Sequence, residues 1–202
     1  MKYDYLIVGS GLTGACFARL LKDKGNTILV VDKRNHVAGN IYTEQVEGIN
    51  VHKYGAHIFH TNNKDVWDFV NKYATFNNYR HKVKANYKGE IYDLPFNMNT
   101  FKQLWNVDDK DDVKRIIANQ SKDIDNPRNL EDYSIATLGK DLFEKLIKGY
   151  SEKQWGKDCA ALPISLIKRF PIKYEFNNDY FDDKYQGIPV DGYTELITNL
   201  LS

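Results

Sequence analysis

Three glycines and one acid carry the first chemistry in this chain. Gly9, Gly11 and Gly14 are spaced G-x-G-x-x-G directly after the apolar run Tyr5-Leu6-Ile7-Val8, and Asp32 closes a second apolar run, Thr27-Ile28-Leu29-Val30-Val31. Glycines at this spacing permit a tight turn, let backbone N–H groups approach a pyrophosphate, and let a helix pack close on a strand. The start of that helix offers unpaired N–H groups and the positive end of its dipole to the phosphates. An acid at the end of the second strand accepts hydrogen bonds from a ribose. Asp at that point, rather than Arg, favours an adenosine ribose with a free 2′-hydroxyl, as in FAD or NAD, over NADP. A βαβ unit whose glycines only make a turn is the plainer alternative. The common register of turn, helix and acid weighs against it.

Three histidines, His52, His57 and His60, crowd one short stretch. A zinc site is disfavoured there, because no carboxylate or cysteine set lies near and Gly55-Ala56 breaks any helix that would align the rings. Structural histidines are the plain reading. The small Gly55-Ala56 pair beside His57 suits close approach to something flat, such as an isoalloxazine ring. Arg169, in Leu166-Ile167-Lys168-Arg169-Phe170-Pro171, is a planar cation suited to a bidentate phosphate contact. A surface arginine is its equal alternative. Tyr180-Phe181 lies in an Asn/Asp-rich loop, where exposed rings are odd without a ligand.

The elements that must position these groups follow from periodicity. Leu12, Ala15, Ala18, Leu20 and Leu21 form a helical stripe that stops near Gly25. Asn63 to Tyr73 is a second helix. Residues 79–92 alternate, with Lys88-Gly89 as a hairpin turn. Its basic residues alternate with Val83 and Ala85, so one face either lines an anion site or belongs to an ordinary strand pair. Pro95 marks a boundary. From Thr100 to Tyr150 the pattern is helical, and Leu138, Leu142, Leu146 and Tyr150 recur at i+4 as a core stripe. In Lys148-Gly149-Tyr150-Ser151-Glu152-Lys153-Gln154-Trp155-Gly156, aromatic groups gather at a helix end.

Bulk properties narrow the function class. The chain has 202 residues and a formal net charge of +1, which gives no electrostatic reason for a nucleic-acid or membrane partner. Asp108-Asp109-Lys110-Asp111-Asp112 reads as a solvated helix start. The two cysteines, Cys16 and Cys159, form neither a disulfide framework nor a metal spacing, which fits a reducing cytoplasm. No run is long and apolar enough to span a bilayer, and the glycines and Asp4 argue against a signal peptide. The 14 tyrosines hint at a pocket of rings that also carry hydroxyls.

The chain resembles the UDP-galactopyranose mutase family. The resemblance is carried by Val8-Gly9-Ser10-Gly11, Lys33-Arg34-Asn35-His36, the run from His52 to His60, Leu94-Pro95-Phe96-Asn97-Met98-Asn99-Thr100-Phe101, the run from Ile147 to Gly156, and Tyr185-Gln186-Gly187-Ile188-Pro189-Val190. It implies an α/β fold: a Rossmann-like FAD-binding domain with an inserted, mostly helical substrate domain, truncated at the C-terminus. The expected boundaries are 1–80 for the FAD unit, 81–186 for the hairpin and helical insert, and 187–202 for the return. The resemblance further implies interconversion of UDP-galactopyranose and UDP-galactofuranose. In that reaction, as the resemblance implies it, N5 of reduced FAD would act as the nucleophile at the anomeric carbon, with no net redox change.

By position, the likeness assigns cofactor binding to Gly9, Gly11, Thr13, Gly14, Asp32, Lys33, Gly39, Asn40, His57 and Ile58. Substrate contacts fall to His81, Leu146, Tyr150, Ser151, Trp155, Arg169 and Tyr180. Arg169 would clamp the diphosphate, and His57 with Arg169 would stand at the reacting centre. A cytoplasmic homodimer is expected when the chain is full length. Ala38 stands where the family usually has the first of two glycines, so its turn must avoid positive φ or carry strain. Family members are longer, and the missing part would hold a second diphosphate-binding arginine. Two other readings remain: an FAD-dependent oxidoreductase of the amine-oxidase type, and a non-catalytic fragment.

Overall fold

A computed structural model describes residues 2–167 and 172–202. The chain forms two compact units. One comprises the residues up to Arg80 together with Phe181–Ser202, and the other is His81–Tyr180. Phe181–Gln186, expected in the insert, therefore pack with the first unit. The reason lies in His60, whose ring stacks on Phe181 at 3.7 Å and whose Nδ1 meets Asp183 Oδ2 at 2.6 Å.

The first unit opens with β1 (Tyr5–Val8), α1 (Leu12–Lys22) and β2 (Ile28–Val31). β1 and β2 pair in parallel, with Leu6 opposite Leu29 and Val8 opposite Val31. Gly14 seats α1 against this turn: a Cβ there would lie 1.9 Å from the Gly9 carbonyl oxygen and 3.4 Å from the Ile7 side chain. The opposite face of the pair is bare, with Leu6 63% and Val8 80% exposed. Parallel strands are ordinarily covered on both faces, so the apolar run of β1 is only half used within the described residues.

A hairpin of β3 (Thr43–Val46) and β4 (Ile49–His52) follows, turning at Glu47 and Gly48, both with positive φ. β5 (Phe59–Thr61) later pairs antiparallel with the returning strand β8 (Tyr185–Gly187). Between them, α2 (Lys64–Val70) starts at Asn63, whose side-chain oxygen accepts from the N–H groups of Asp65 and Val66. The last helix, α8 (Gly192–Leu201), buries Tyr193, Leu196, Ile197 and Leu200 against Ala15 and Ala38. Thr43 ties its first turn down: its N–H donates to Thr194 Oγ1, which donates back to the Thr43 carbonyl.

In the second unit, β6 (Val83–Tyr87) and β7 (Glu90–Leu94) form the expected hairpin. Lys88 (φ 51) and Gly89 (φ 94) are both left-handed, as a two-residue hairpin turn of this hand demands. Lys84 Nζ lies 2.6 Å from Asp93 Oδ1, so this cation serves the hairpin instead of an anion site. The helices α3 (Met98–Trp105), α4 (Lys110–Gln120), α5 (Leu130–Leu138) and α6 (Lys140–Leu142) follow. Asp109 caps α4 by accepting from the N–H groups of Asp111 and Asp112, which accounts for the acidic run. Phe101, Val113, Leu130, Leu142 and Phe143 are fully or almost fully buried in this unit's core.

One stripe departs from its expected phase. Leu138, Leu142 and Leu146 are buried, but Tyr150 is 68% exposed. Residues Phe143–Lys148 form a π-helical turn between α6 and α7 (Gly149–Trp155). Its wider i→i+5 bonds rotate everything downstream relative to an α-helix. The buried face then passes through Ile147 to Ser151, and Tyr150 swings outward. Among the described residues, no helix is long and apolar enough to cross a membrane.

Candidate dinucleotide site

The first βαβ turn and a second loop meet backbone to backbone. Gly39 follows Ala38 into a short 3-10 turn, Gly39–Ile41. A Cβ on Gly39 would lie 3.1 Å from the Gly11 Cα, so the two glycine turns touch where side chains would keep them apart. The Ala38 N–H donates to the Ser10 carbonyl at 3.0 Å and locks the loops together. Ala38 itself adopts φ 73 and is fully buried. Of the two expectations for this position, strain is the one realised: an alanine sits in the left-handed region that glycine occupies freely.

These loops border two open cavities of about 360 and 370 Å³. Gly9, Gly11 and Asn40 line both; Thr13 and Gly14 line the first; Asp32, Lys33, Arg34 and Gly39 line the second. Gly11 has nothing within ordinary contact of a notional Cβ except Gly39 Cα at 3.9 Å, so its side faces open space. That is the arrangement a close-approaching phosphate requires.

Asp32 is held from three sides. Its Oδ2 accepts from the Ser10 N–H at 2.7 Å and the Ser10 hydroxyl at 2.8 Å, and its Oδ1 accepts from the Arg34 N–H at 2.9 Å. The Arg34 N–H, the Ser10 N–H and the Ser10 hydroxyl hold this carboxyl well below the usual carboxylate range. A carboxylate has about four acceptor directions, so roughly one is left for a ribose hydroxyl. Ser10 is thus central to the site, being 3% exposed, donating twice to Asp32 and accepting from Ala38. Neither Ser10 nor Arg34 receives a role from the sequence, because a serine inside G-x-G carries no signal until its partner across the turn is known.

His57 and Ile58, both half-buried, do not line these two cavities. The His57 N–H donates to His52 Nδ1 at 3.1 Å, and His57 Nδ1 sits 2.8 Å from the Gly55 carbonyl. A carbonyl only accepts, so His57 Nδ1 donates this bond. Burial, then the charge of His57, pushes His52 below its ordinary pKa. His52 and His57 are therefore joined through the His57 backbone, while His60 meets Asp183.

The described residues assigned to substrate lie in the second unit. The Tyr180 N–H donates to the His81 carbonyl at 2.8 Å, and their rings meet edge-to-face at 5.4 Å. Tyr180 and Phe181 are thus half-buried, each packed on a histidine, and not the exposed pair expected. Leu146 and Ser151 are buried, and Leu146 belongs to the helical core. Tyr150 and Trp155 stand out from α7, at 68% and 51% exposure. Arg169 lies outside the described residues.

Comparisons with known proteins bear on the same two regions. Residues 7–73 match an NAD(P)-binding Rossmann-like domain, and residues 145–202 match the UDP-galactopyranose mutase family model. This chain resembles the UDP-galactopyranose mutases. It is 44% identical to a dTDP-fucopyranose mutase of Escherichia coli over 98% of its own length and 53% of that protein's. It is 38% identical to a probable UDP-galactopyranose mutase of Klebsiella pneumoniae, covering 96% and 52%. A crystal structure of reduced UDP-galactopyranose mutase superposes with a TM-score of 0.73 at 16% identity, over 98% of this chain and 46% of that one. The fold is thus the α/β Rossmann-like one expected, joined to a helical unit. The chain spans about half the length of the curated relatives it matches.

Proposed function

We propose that this chain is the cofactor-holding portion of a flavin-dependent nucleotide-sugar mutase, which interconverts the pyranose and furanose forms of a sugar bound to a nucleoside diphosphate. The observation that carries the reading is the cavity framed by Gly9, Gly11, Asp32, Gly39 and Asn40, in a chain whose likeness to mutases runs nearly end to end. The residues present fit a dinucleotide. Gly11 leaves room for a phosphate, Gly14 permits the helix start to face it, and Asp32 is a preset ribose acceptor.

When bound, reduced FAD supplies the nucleophile that attacks the sugar as the nucleoside diphosphate leaves. The chain's own work is binding and orientation. Backbone N–H groups from Gly11 to Gly14 hold the pyrophosphate, with Thr13 and Lys33 at its edges. Asn40 takes the neighbouring oxygens, and His57 and Ile58 back the ring system. On the substrate side, His81, Tyr150, Ser151, Trp155 and Tyr180 grip the sugar nucleotide, with Leu146 packed beneath them. Arg169 neutralises the diphosphate as its charge develops. Full-length chains pair as a dimer in the cytoplasm.

UDP-galactose is the substrate expected from the family model. dTDP-fucopyranose is a second reading, favoured by the higher identity to the Escherichia coli enzyme. An absorbance spectrum of the purified chain tests cofactor binding, and bound flavin is the expected result. Turnover of UDP-galactofuranose against dTDP-fucofuranose under reductant, with the missing half supplied, tests the substrate. Stoichiometric oxidation of an amine in place of isomerisation would select the amine-oxidase reading. A colourless chain that takes up no added FAD would leave the fragment reading standing.

A further inference from the structure

Residues 172–184, which carry Tyr180, form neither helix nor strand, yet one side chain among them holds three partners. Asn178 Oδ1 accepts from Asn97 Nδ2 at 3.0 Å and from Asn99 Nδ2 at 2.9 Å, which uses both of its lone pairs. The Asn178 side chain also bonds the Asp93 carboxyl, and only its amide nitrogen can donate that bond. The partners are themselves fixed. Asn97 is fully buried, gives its other amide proton to the Pro95 carbonyl at 2.7 Å, and caps α3 through its Oδ1. Asp93 is 7% exposed and also takes Lys84 and Gln103. Backbone bonds run alongside. The Lys173 N–H donates to the Phe96 carbonyl at 2.8 Å, and the Met98 N–H donates to the Glu175 carbonyl at 3.1 Å.

A satisfied buried polar network specifies one geometry where apolar packing would tolerate several. Here the geometry is that of an irregular segment two residues short of Tyr180. The Tyr180 N–H donates to the His81 carbonyl at 2.8 Å, so the stretch from Asn178 to Tyr180 is pinned at both ends. We infer, resting on the substrate role proposed above for Tyr180, that Asn178 is a positioning residue: it fixes the backbone from which Tyr180 reaches the sugar nucleotide. Asparagine suits the place because one oxygen must serve two amide donors while a nitrogen serves a carboxylate. Alanine would leave the Asn97 and Asn99 amides short of an acceptor. Aspartate would keep that acceptor but set a second carboxylate against Asp93.

The test compares the parent chain with Asn178→Ala, Asn178→Asp and the exchanged pair Asp93→Asn with Asn178→Asp. Amide hydrogen exchange reads the backbone, and calorimetric titration with UDP and dTDP reads binding, at about pH 8 so that Asn178→Asp carries its charge. Both single variants are expected to speed exchange at the Tyr180 amide by about tenfold or more, with Phe101 and Leu142 unchanged. They should weaken the nucleoside diphosphate by about tenfold. The exchanged pair puts donor and acceptor back across the same contact, with Lys84 left to solvent, and should recover most of both losses. Tyr180 exchange equal to the parent's in both single variants would overturn the inference. So would equal acceleration at Phe101 and Leu142, which marks general loosening, or no recovery in the exchanged pair. A parent that binds neither UDP nor dTDP would sink the substrate reading, a separate failure, and the exchange rates then decide whether Asn178 holds Tyr180. Where Asn178→Ala does not fold, Asn178→Asp and the exchanged pair carry the same comparison.

Discussion

Gly11→Ala separates a binding glycine from a packing glycine. A Cβ on Gly11 would find only Gly39 Cα, at 3.9 Å, and the backbone there is not left-handed, so the folded chain accepts the methyl. Fewer unfolded conformations should stabilise the variant by about 0.4–1 kcal/mol. Gly11 is also the N-cap of α1, where alanine is the poorer residue by a comparable amount. The net change in stability is therefore within about 1 kcal/mol of zero. The methyl does fill the space in which a pyrophosphate would approach. Loss of one charge-assisted hydrogen bond, about 1.5–3 kcal/mol, corresponds to a roughly ten- to hundredfold weaker Kd. Gly14→Ala is the opposite case. Its Cβ would lie 1.9 Å from the Gly9 carbonyl oxygen, so α1 must move by about 1 Å or more, and overpacking of this kind costs about 1–3 kcal/mol of stability. Thermal melts by far-UV circular dichroism and FAD titration by flavin fluorescence read the two effects apart. A Gly11→Ala chain that melts early, or that binds FAD like the parent, would refute the reasoning.

Three further outcomes are expected. Ser10→Ala removes one of the three donors on Asp32, and adenosine should bind roughly three- to tenfold more weakly by calorimetry; unchanged affinity would deny Ser10 its positioning role. His52 is held below its ordinary value of 6.5, so below that pH the unfolded chain binds the proton first and stability falls with falling pH. Denaturant melts of His52→Asn should lose this slope while keeping the acid losses of the carboxylates near pH 4, and a slope identical to the parent's would count against the assignment. Phe101 is fully buried and lies flat on Trp105 at 5.6 Å, so Phe101→Ala should cost about 3–5 kcal/mol; an unshifted melting midpoint would contradict that burial.

Much of the local structure was legible because local rules decide it. The turn at Lys88-Gly89, the caps at Asn63 and Asp109, and the glycine spacing of the first turn each act within a few residues. The helical periodicity was plain too, although the stripe from Leu138 to Leu146 crosses a break at Gly139, where φ is 83. The stripe failed at Tyr150 because the π-turn of Phe143–Lys148 changes the phase of everything after it. The return boundary was misjudged for a similar reason. Phe181 and Asp183 have no neighbours in sequence that announce His60, a residue far upstream, as their partner.

What the sequence determined by itself was the strand–turn–helix, the acid that follows it, and long blocks of mutase-like residues, since spacing along a chain is enough to state them. The tertiary structure alone decided that Ser10 and the Arg34 backbone pin that acid, that Ala38 bears a positive φ where two glycine turns touch, and that Arg34 Nη1 has no hydrogen-bond partner among the described residues. Hydrogen bonds and steric contacts between distant segments depend on where folding brings their atoms, and no pattern within either segment encodes that meeting.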